Sequence, residues 1–305
     1  MAETLPQGRL LAAKAFIGLP GPELDPETRE IITAFPPGGV VLFKRNVSPD
    51  SGQIRALTSG LQETCQRVAG RKLVIAIDQE GGPVKRLPPP FGQYPAAASY
   101  GPQGEAKVFE WGLAQGRELA GLGVTMNLAP VLDINVLGEE GVMSQRVFGA
   151  DPETVTRLGL AAIKGLQKGG VAACAKHFPG MGQTSLDPHL QVSPRADRSL
   201  EELLGWELVP FVRALEAGVE AIMTSHLVYP GLEAGLPASL SARIITGLLK
   251  ERLGYQGLIL TDDLDMGAIT LDYSPQEAAR MALAAGADRV LLCQDQASFI
   301  RLVEG

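Results

Sequence analysis

Residues 214–226 read ALEAGVEAIMTSH, and the order of residue types in that stretch carries the fold. A helix-like segment ends in Gly218, Val219 follows, and a short apolar run closes on the polar pair Ser225 and His226. The same order returns at 117–133 (RELAGLGVTMNLAPVLD), 165–178 (GLQKGGVAACAKHF), 248–263 (LLKERLGYQGLILTDD) and 282–293 (ALAAGADRVLLC). Glycine suits a helix C-terminus because it takes the left-handed conformation without steric cost. A run of four to eight apolar residues between such marks reads as a strand buried on both faces. Helix alternating with buried strand predicts parallel βα units.

Counting these runs predicts eight strands, at 12–18, 39–44, 73–78, 125–133, 171–176, 220–226, 257–262 and 289–293. Eight parallel strands with intervening helices predict a (β/α)8 TIM-type barrel, one domain over residues 1–305, with room for only a short last helix. The alternative is an open doubly wound sheet. Its mark is GxGxxG opening the first helix, whereas the turn after the first run reads GLPGPEL at 18–24.

Composition agrees with a folded globular chain. At 305 residues the length suits two ordinary domains or one large barrel, and 45% hydrophobic with 20% charged residues excludes disorder. With 9 Phe, 5 Tyr and 2 Trp, the core must rest on Val, Leu, Ile and Ala. The net charge of −7 disfavours a nucleic-acid or anionic-membrane partner. No apolar run is long enough to span a membrane. The start, MAETLPQGRLL, has an early acid and no basic n-region, so no signal peptide is expected. Three scattered cysteines (Cys65, Cys174, Cys293) fit buried thiols better than a disulfide framework or a CxxC metal site. A cytoplasmic location is expected. The oligomeric state has no signature in the sequence.

Barrel chemistry sits where strands end and βα loops begin. The third run ends in IDQEGGPVKRL, with Asp78, Glu80 and Arg86; the fourth carries Asn127 and Asp133, with Arg146 in the loop beyond. The fifth ends in Lys176 and His177, with Asp187 and His189 in its loop. The sixth ends in Ser225 and His226, the seventh in Asp262, Asp263 and Asp265. All three histidines of the chain therefore fall at this face, where a single one would ordinarily be a satisfied core histidine. A zinc site would need an HxH or HExxH pairing, which is lacking. Lys176 admits two readings: a Schiff-base nucleophile, as in aldolase-type lyases, or a fixed positive charge clamping substrate. An aspartate directly after a buried strand is costly, and is either functional or held in a salt bridge. Alternation along the seventh strand does not choose between Asp262 and Asp263.

At these residues the chain resembles glycoside hydrolase family 3, in its branch of β-N-acetylglucosaminidases of peptidoglycan recycling. Four segments carry the resemblance: IDQEGGPVKRL (77–87), NLAPVLDIN (127–135) with RVFG (146–149), AKHFPG (175–180) with DPH (187–189), and LLKERLGYQGLILTDDLDMGA (248–268). The resemblance implies that Asp262 is the nucleophile and that Asp187 and His189 form an Asp-x-His dyad, with the histidine as general acid/base. It implies that Asp78, Arg86, Arg146, Lys176 and His177 bind substrate, and that His226 lines the pocket. Where the family's loop reads KHFPGHGDT, this chain has KHFPGMGQT, with Met181 and Gln183 replacing a His and an Asp. Pro83 and Pro188 also depart from the family's usual Arg and Ser. The implied activity is retaining hydrolysis of terminal β-linked N-acetylglucosamine from a small muropeptide-derived sugar, without metal or organic cofactor. Phosphorolysis and β-glucosidase activity are the alternatives within the family; a non-catalytic sugar-binding barrel is the alternative outside it.

Overall fold

The computed structural model describes residues 7–138, 141, 143–182 and 195–305. Eight strands close into a barrel in sequence order, every neighbouring pair parallel: β1 (Ala15–Gly18), β2 (Gly39–Leu42), β3 (Val74–Ile77), β4 (Met126–Asn127), β5 (Ala172–Phe178), β6 (Ala221–Thr224), β7 (Leu258–Asp263) and β8 (Arg289–Leu292). The predicted (β/α)8 barrel is what forms. Helix α1 (Gln7–Ala12) precedes β1, and α2 (Pro26–Ala34), α3 (Ser51–Ala69), α4 (Gly104–Gly121) and α5 (Pro152–Gly169) fill the next four crossovers. Then come α6 (Leu200–Gly205) with α7 (Val209–Glu216), a π-helical segment Arg243–Arg252, α8 (Gly267–Thr270) with α9 (Pro275–Ala284), and α10 (Gln296–Glu304) after β8.

The punctuating glycines behave as their positions predict: Gly123, Gly170, Gly218, Gly254 and Gly286 all have positive φ. Helix starts are fixed by side-chain caps. Asp151 accepts from the Thr154 amide, and Ser199 and Ser274 form capping boxes with Glu202 and Glu277.

Two expected strand limits are corrected. The first run, 12–18, is split, because Ala12 completes α1 and the strand begins at Ala15. The fourth, 125–133, yields two ladder residues and an isolated bridge from Val131 to Lys176. Pro130 has no N–H to give a ladder, so regular pairing stops before it, although the Pro130 carbonyl still accepts from the Lys176 amide.

Two apolar layers form. Inside the barrel lie Phe16, Val41, Ala76, Cys174, Met223 and Leu260, while Ile17, Val40, Ile75, Ala175, Ile222 and Ile259 face the helices. On β7 Leu260 faces inward, but the ladder slips between it and Asp263, so alternation does not carry the sense of that row on to Asp262 and Asp263. Ladder register slips between Lys176 and Phe178 on β5 and between Leu260 and Asp263 on β7. Such irregularities re-aim side chains at the ends of barrel strands.

Candidate active site

The site is built outward from the turn after β3. Gly81 and Gly82 have φ of 97° and 56°, and a Cβ at Gly81 would meet the Pro95 carbonyl at 2.4 Å. Glycine is required there. The Gln79 side chain accepts from the Arg86 and Leu87 amides, while Asn127 at the end of β4 accepts from the Gln79 amide and donates to its carbonyl. Asn127 thus serves as a staple between strand ends. The turn it locks presents Asp78, Glu80 and Arg86 from one short segment.

These three meet Arg146, from the loop after β4, and Lys176 of β5 in a continuous chain of ion pairs. Arg86 Nη2 lies 3.2 Å from Asp78 Oδ2, and Lys176 Nζ lies 2.7 Å from Asp78 Oδ1 and 2.7 Å from Glu80 Oε1. Glu80 then binds Arg146 through both oxygens, at 2.7 Å from Nη2 and 2.9 Å from Nε. Bidentate pairs of this kind are strong and geometrically exacting. The guanidinium of Arg86 also sits over the Phe43 ring, 5.7 Å from its centroid.

His177 is fixed differently. Its Nδ1 lies 2.7 Å from Asp133 Oδ2, and Asp133 Oδ1 accepts from the backbone amides of His177 and Met181. One fully buried carboxylate therefore orients the ring, leaves Nε2 as the other functional nitrogen, and holds the first residue after Gly180. His226 Nδ1 lies 2.8 Å from Ser239 Oγ, and its Nε2 lies 2.9 Å from the Asp263 carbonyl. Asp262 Oδ1 accepts from the Asp263 amide.

Burial alone would push the Asp262 carboxyl upward. The positive charge available on His226, His177 and Lys176 outweighs it, and the carboxyl titrates below the ordinary aspartate range. Burial likewise opposes charge on Glu80, yet Arg146 and Lys176 hold it far below the usual carboxylate range. Burial would lower Lys176, but Asp78 and Glu80 raise it above an ordinary lysine. Its ammonium stays charged.

Asp263 goes the other way. Burial, then repulsion from Asp265 and Asp262, pushes it up to about 8. An unfolded aspartate titrates at about 3.9. Between those values the folded chain binds the extra proton, so this group's contribution to stability falls as pH rises, by the linkage relation. Asn at 263 keeps an acceptor for the Asp265 and Cys293 amides and removes that penalty. Asp263→Asn should therefore melt above the wild type by a margin that widens from pH 5 to pH 9. Scanning calorimetry showing an equal or narrowing margin would contradict the assignment.

Of the residues expected from sequence, Asp78, Arg86, Arg146 and Lys176 form one cluster, and His177, His226 and Asp262 stand beside it. Asp187 and His189 lie outside the described residues, as do Gln183 and Pro188. Met181 is buried in the core and Pro83 is exposed at the turn. The Schiff-base reading of Lys176 is overturned, because a nucleophilic amine must lose its proton and two carboxylates hold this one on. Glu80 and Asp133 were visible in sequence only as polar residues near strand ends. Their partners lie 66 and 44 residues away, and no local pattern reports that. Among the described residues no group of three or more His, Cys, Asp or Glu is placed to share a metal ion, and no helix is long and apolar enough to cross a membrane. A groove of about 800 Å³ lined by Glu105, Phe109, Arg157 and Arg213 lies on the outer helices and holds none of the strand-end residues.

Comparison with known proteins shows the family. The sequence model of the glycosyl hydrolase family 3 N terminal domain matches residues 8–305. A curated relative, beta-hexosaminidase A of Pseudoalteromonas piscicida, is 37% identical over 88% of this chain; the chain spans 48% of that protein's length. Among solved structures, a glycoside hydrolase family 3 beta-N-acetylglucosaminidase from Paenibacillus sp. str. FPU-7 is 38% identical with a TM-score of 0.94, over 99% of this chain and 57% of that one. NagZ from Neisseria gonorrhoeae, solved in complex with N-trifluoroacetyl-D-glucosamine, is 33% identical with a TM-score of 0.87, over 96% of this chain and 84% of that one. With nearly its whole length matched and these strand-end charges in place, the chain belongs to glycosyl hydrolase family 3.

Proposed function

We propose that this chain is a retaining β-N-acetylglucosaminidase that removes terminal β-linked N-acetylglucosamine from small muropeptide-derived sugars. The observation that carries the reading is Asp262 at the end of β7, where charge on His226, His177 and Lys176 favours its carboxylate, beside a chain of buried and half-buried charged groups suited to sugar hydroxyls. The relatives' names, and the glucosamine derivative bound to NagZ, support the choice of sugar. Three buried free thiols are in keeping with a cytoplasmic setting.

In this reading Asp78, Arg86, Arg146, Lys176 and His177 grip the sugar, and His226 lines the pocket. Asp262 attacks the anomeric carbon and forms a glycosyl ester as the bond to the leaving oxygen breaks. His189, protonated and oriented by Asp187, gives that oxygen its proton. The neutral imidazole then takes a proton from water, which attacks the same carbon and releases Asp262. Two inversions leave the β configuration unchanged.

The test is turnover of 4-nitrophenyl N-acetyl-β-glucosaminide against the matching glucoside. The acetamido sugar should be favoured roughly tenfold or more in kcat/KM, as expected of a pocket that hydrogen-bonds the distinguishing group. Free N-acetylglucosamine should be the product whether or not phosphate is present. A preference for the glucoside would refute the sugar assignment, and a sugar phosphate would replace hydrolysis by phosphorolysis.

A further inference from the structure

We infer that Glu80 is a positioning residue of the sugar site: its carboxylate locks the Lys176 ammonium and the Arg146 guanidinium into one arrangement, leaving their remaining N–H groups for the ligand. The inference rests on the reading of this cluster as the sugar site. Glu80 is 4% exposed, and each of its oxygens is engaged by a cation. Its backbone is fixed independently of those cations. The Glu80 and Gly81 amides donate to the Val84 carbonyl, and Asn127 staples the preceding residue.

The groups it joins come from different elements. Lys176 lies on β5, Arg146 in the loop after β4, and Glu80 in the loop after β3. Without a carboxylate between them, the buried Lys176 and the half-buried Arg146 would face each other with Asp78 alone bridging to Lys176. A lysine carries three N–H groups, and Asp78 and Glu80 engage two, so one is left. An arginine carries five, of which Nε and Nη2 each give one to Glu80 and Nη1 gives one to Met143 Sδ, so two are left. Carboxylate geometry thus decides where three donors stand. Donors held before the ligand arrives cost little to order on binding.

The test uses N-acetylglucosamine as a competitive inhibitor of nitrophenyl-glycoside cleavage by the whole chain. Glu80→Gln should weaken inhibition roughly 10- to 100-fold, the range for a lost charged hydrogen bond. Glu80→Asp keeps the charge but draws the carboxylate back by one methylene, beyond reach of both cations. It should lose affinity in the same direction while melting within a few degrees of the wild type, so the test survives if Glu80→Gln does not fold. Adding Glu80→Gln to Lys176→Met should cost a clearly smaller factor than it costs alone, because the two act through one contact. Additive losses, or wild-type inhibition in Glu80→Asp, would overturn the inference. If Lys176→Met alone left inhibition unchanged, the sugar-site reading would itself be wrong and this inference would fall with it. If Lys176→Met weakened inhibition while the Glu80 variants did not, only the role of Glu80 would be refuted.

Discussion

Asp262→Asn should lose turnover by on the order of 10⁴–10⁶-fold, the scale seen when a covalent enzyme loses a member of its nucleophilic machinery. The amide keeps the shape of the side chain and an acceptor for the Asp263 amide, but it cannot attack the anomeric carbon. Affinity for N-acetylglucosamine should change far less, since the Arg86–Asp78–Lys176–Glu80–Arg146 chain is untouched. The loss should be equal for good and poor leaving groups, because both need the nucleophile. Steady-state rates on a nitrophenyl glycoside and a disaccharide decide the matter. A variant within tenfold of the wild type on either substrate would remove Asp262 from the chemistry.

His189→Ala should instead separate the two substrates. A general acid matters in proportion to how badly the departing oxygen needs a proton. Nitrophenolate leaves without help and a sugar alkoxide does not, so disaccharide cleavage should fall roughly 10²–10⁴-fold while nitrophenyl release in the first step is largely spared. The second step then lacks its base, and rapid mixing should show an initial burst. Azide needs no deprotonation, and should restore turnover with a β-glycosyl azide as product. Asp187→Ala should give a weaker form of the same pattern, because that carboxylate only orients and polarises the imidazole. Equal losses on both substrates, without azide rescue, would mean that the acid/base lies elsewhere.

The barrel was legible because its signal is local and repeated. A helix-ending glycine followed by a doubly buried apolar run recurs through the chain, and Gly123, Gly170, Gly218, Gly254 and Gly286 all have positive φ. Limits were less legible where one apolar run serves two elements, as at Ala12, or where proline removes a ladder donor, as at Pro130. Alternation alone did not choose between Asp262 and Asp263, and the family resemblance pointed to Asp262. Both faces of a parallel strand are apolar, so alternation is visible in sequence while its sense is not. The ladder slip between Leu260 and Asp263 breaks that alternation, and what separates the two in the barrel is their surroundings: His226, His177 and Lys176 act on Asp262, whereas Asp263 Oδ1 accepts from the Asp265 and Cys293 amides. The site's cations were found as residue types at strand ends. Their carboxylate partners could not be, because Glu80 and Asp133 acquire meaning only when strands distant in sequence become neighbours. For Asp187 and His189, family resemblance was the only signal that assigned a role.

The most direct measurement is the mass of the wild-type chain after incubation with a 5-fluoro glycosyl donor, whose second step is slowed, followed by peptide mapping. A retaining mechanism through the seventh strand predicts a single glycosyl adduct, located on Asp262 and lost in Asp262→Asn. An adduct on Asp263 or on any other residue, or turnover of the donor with no adduct, would contradict it.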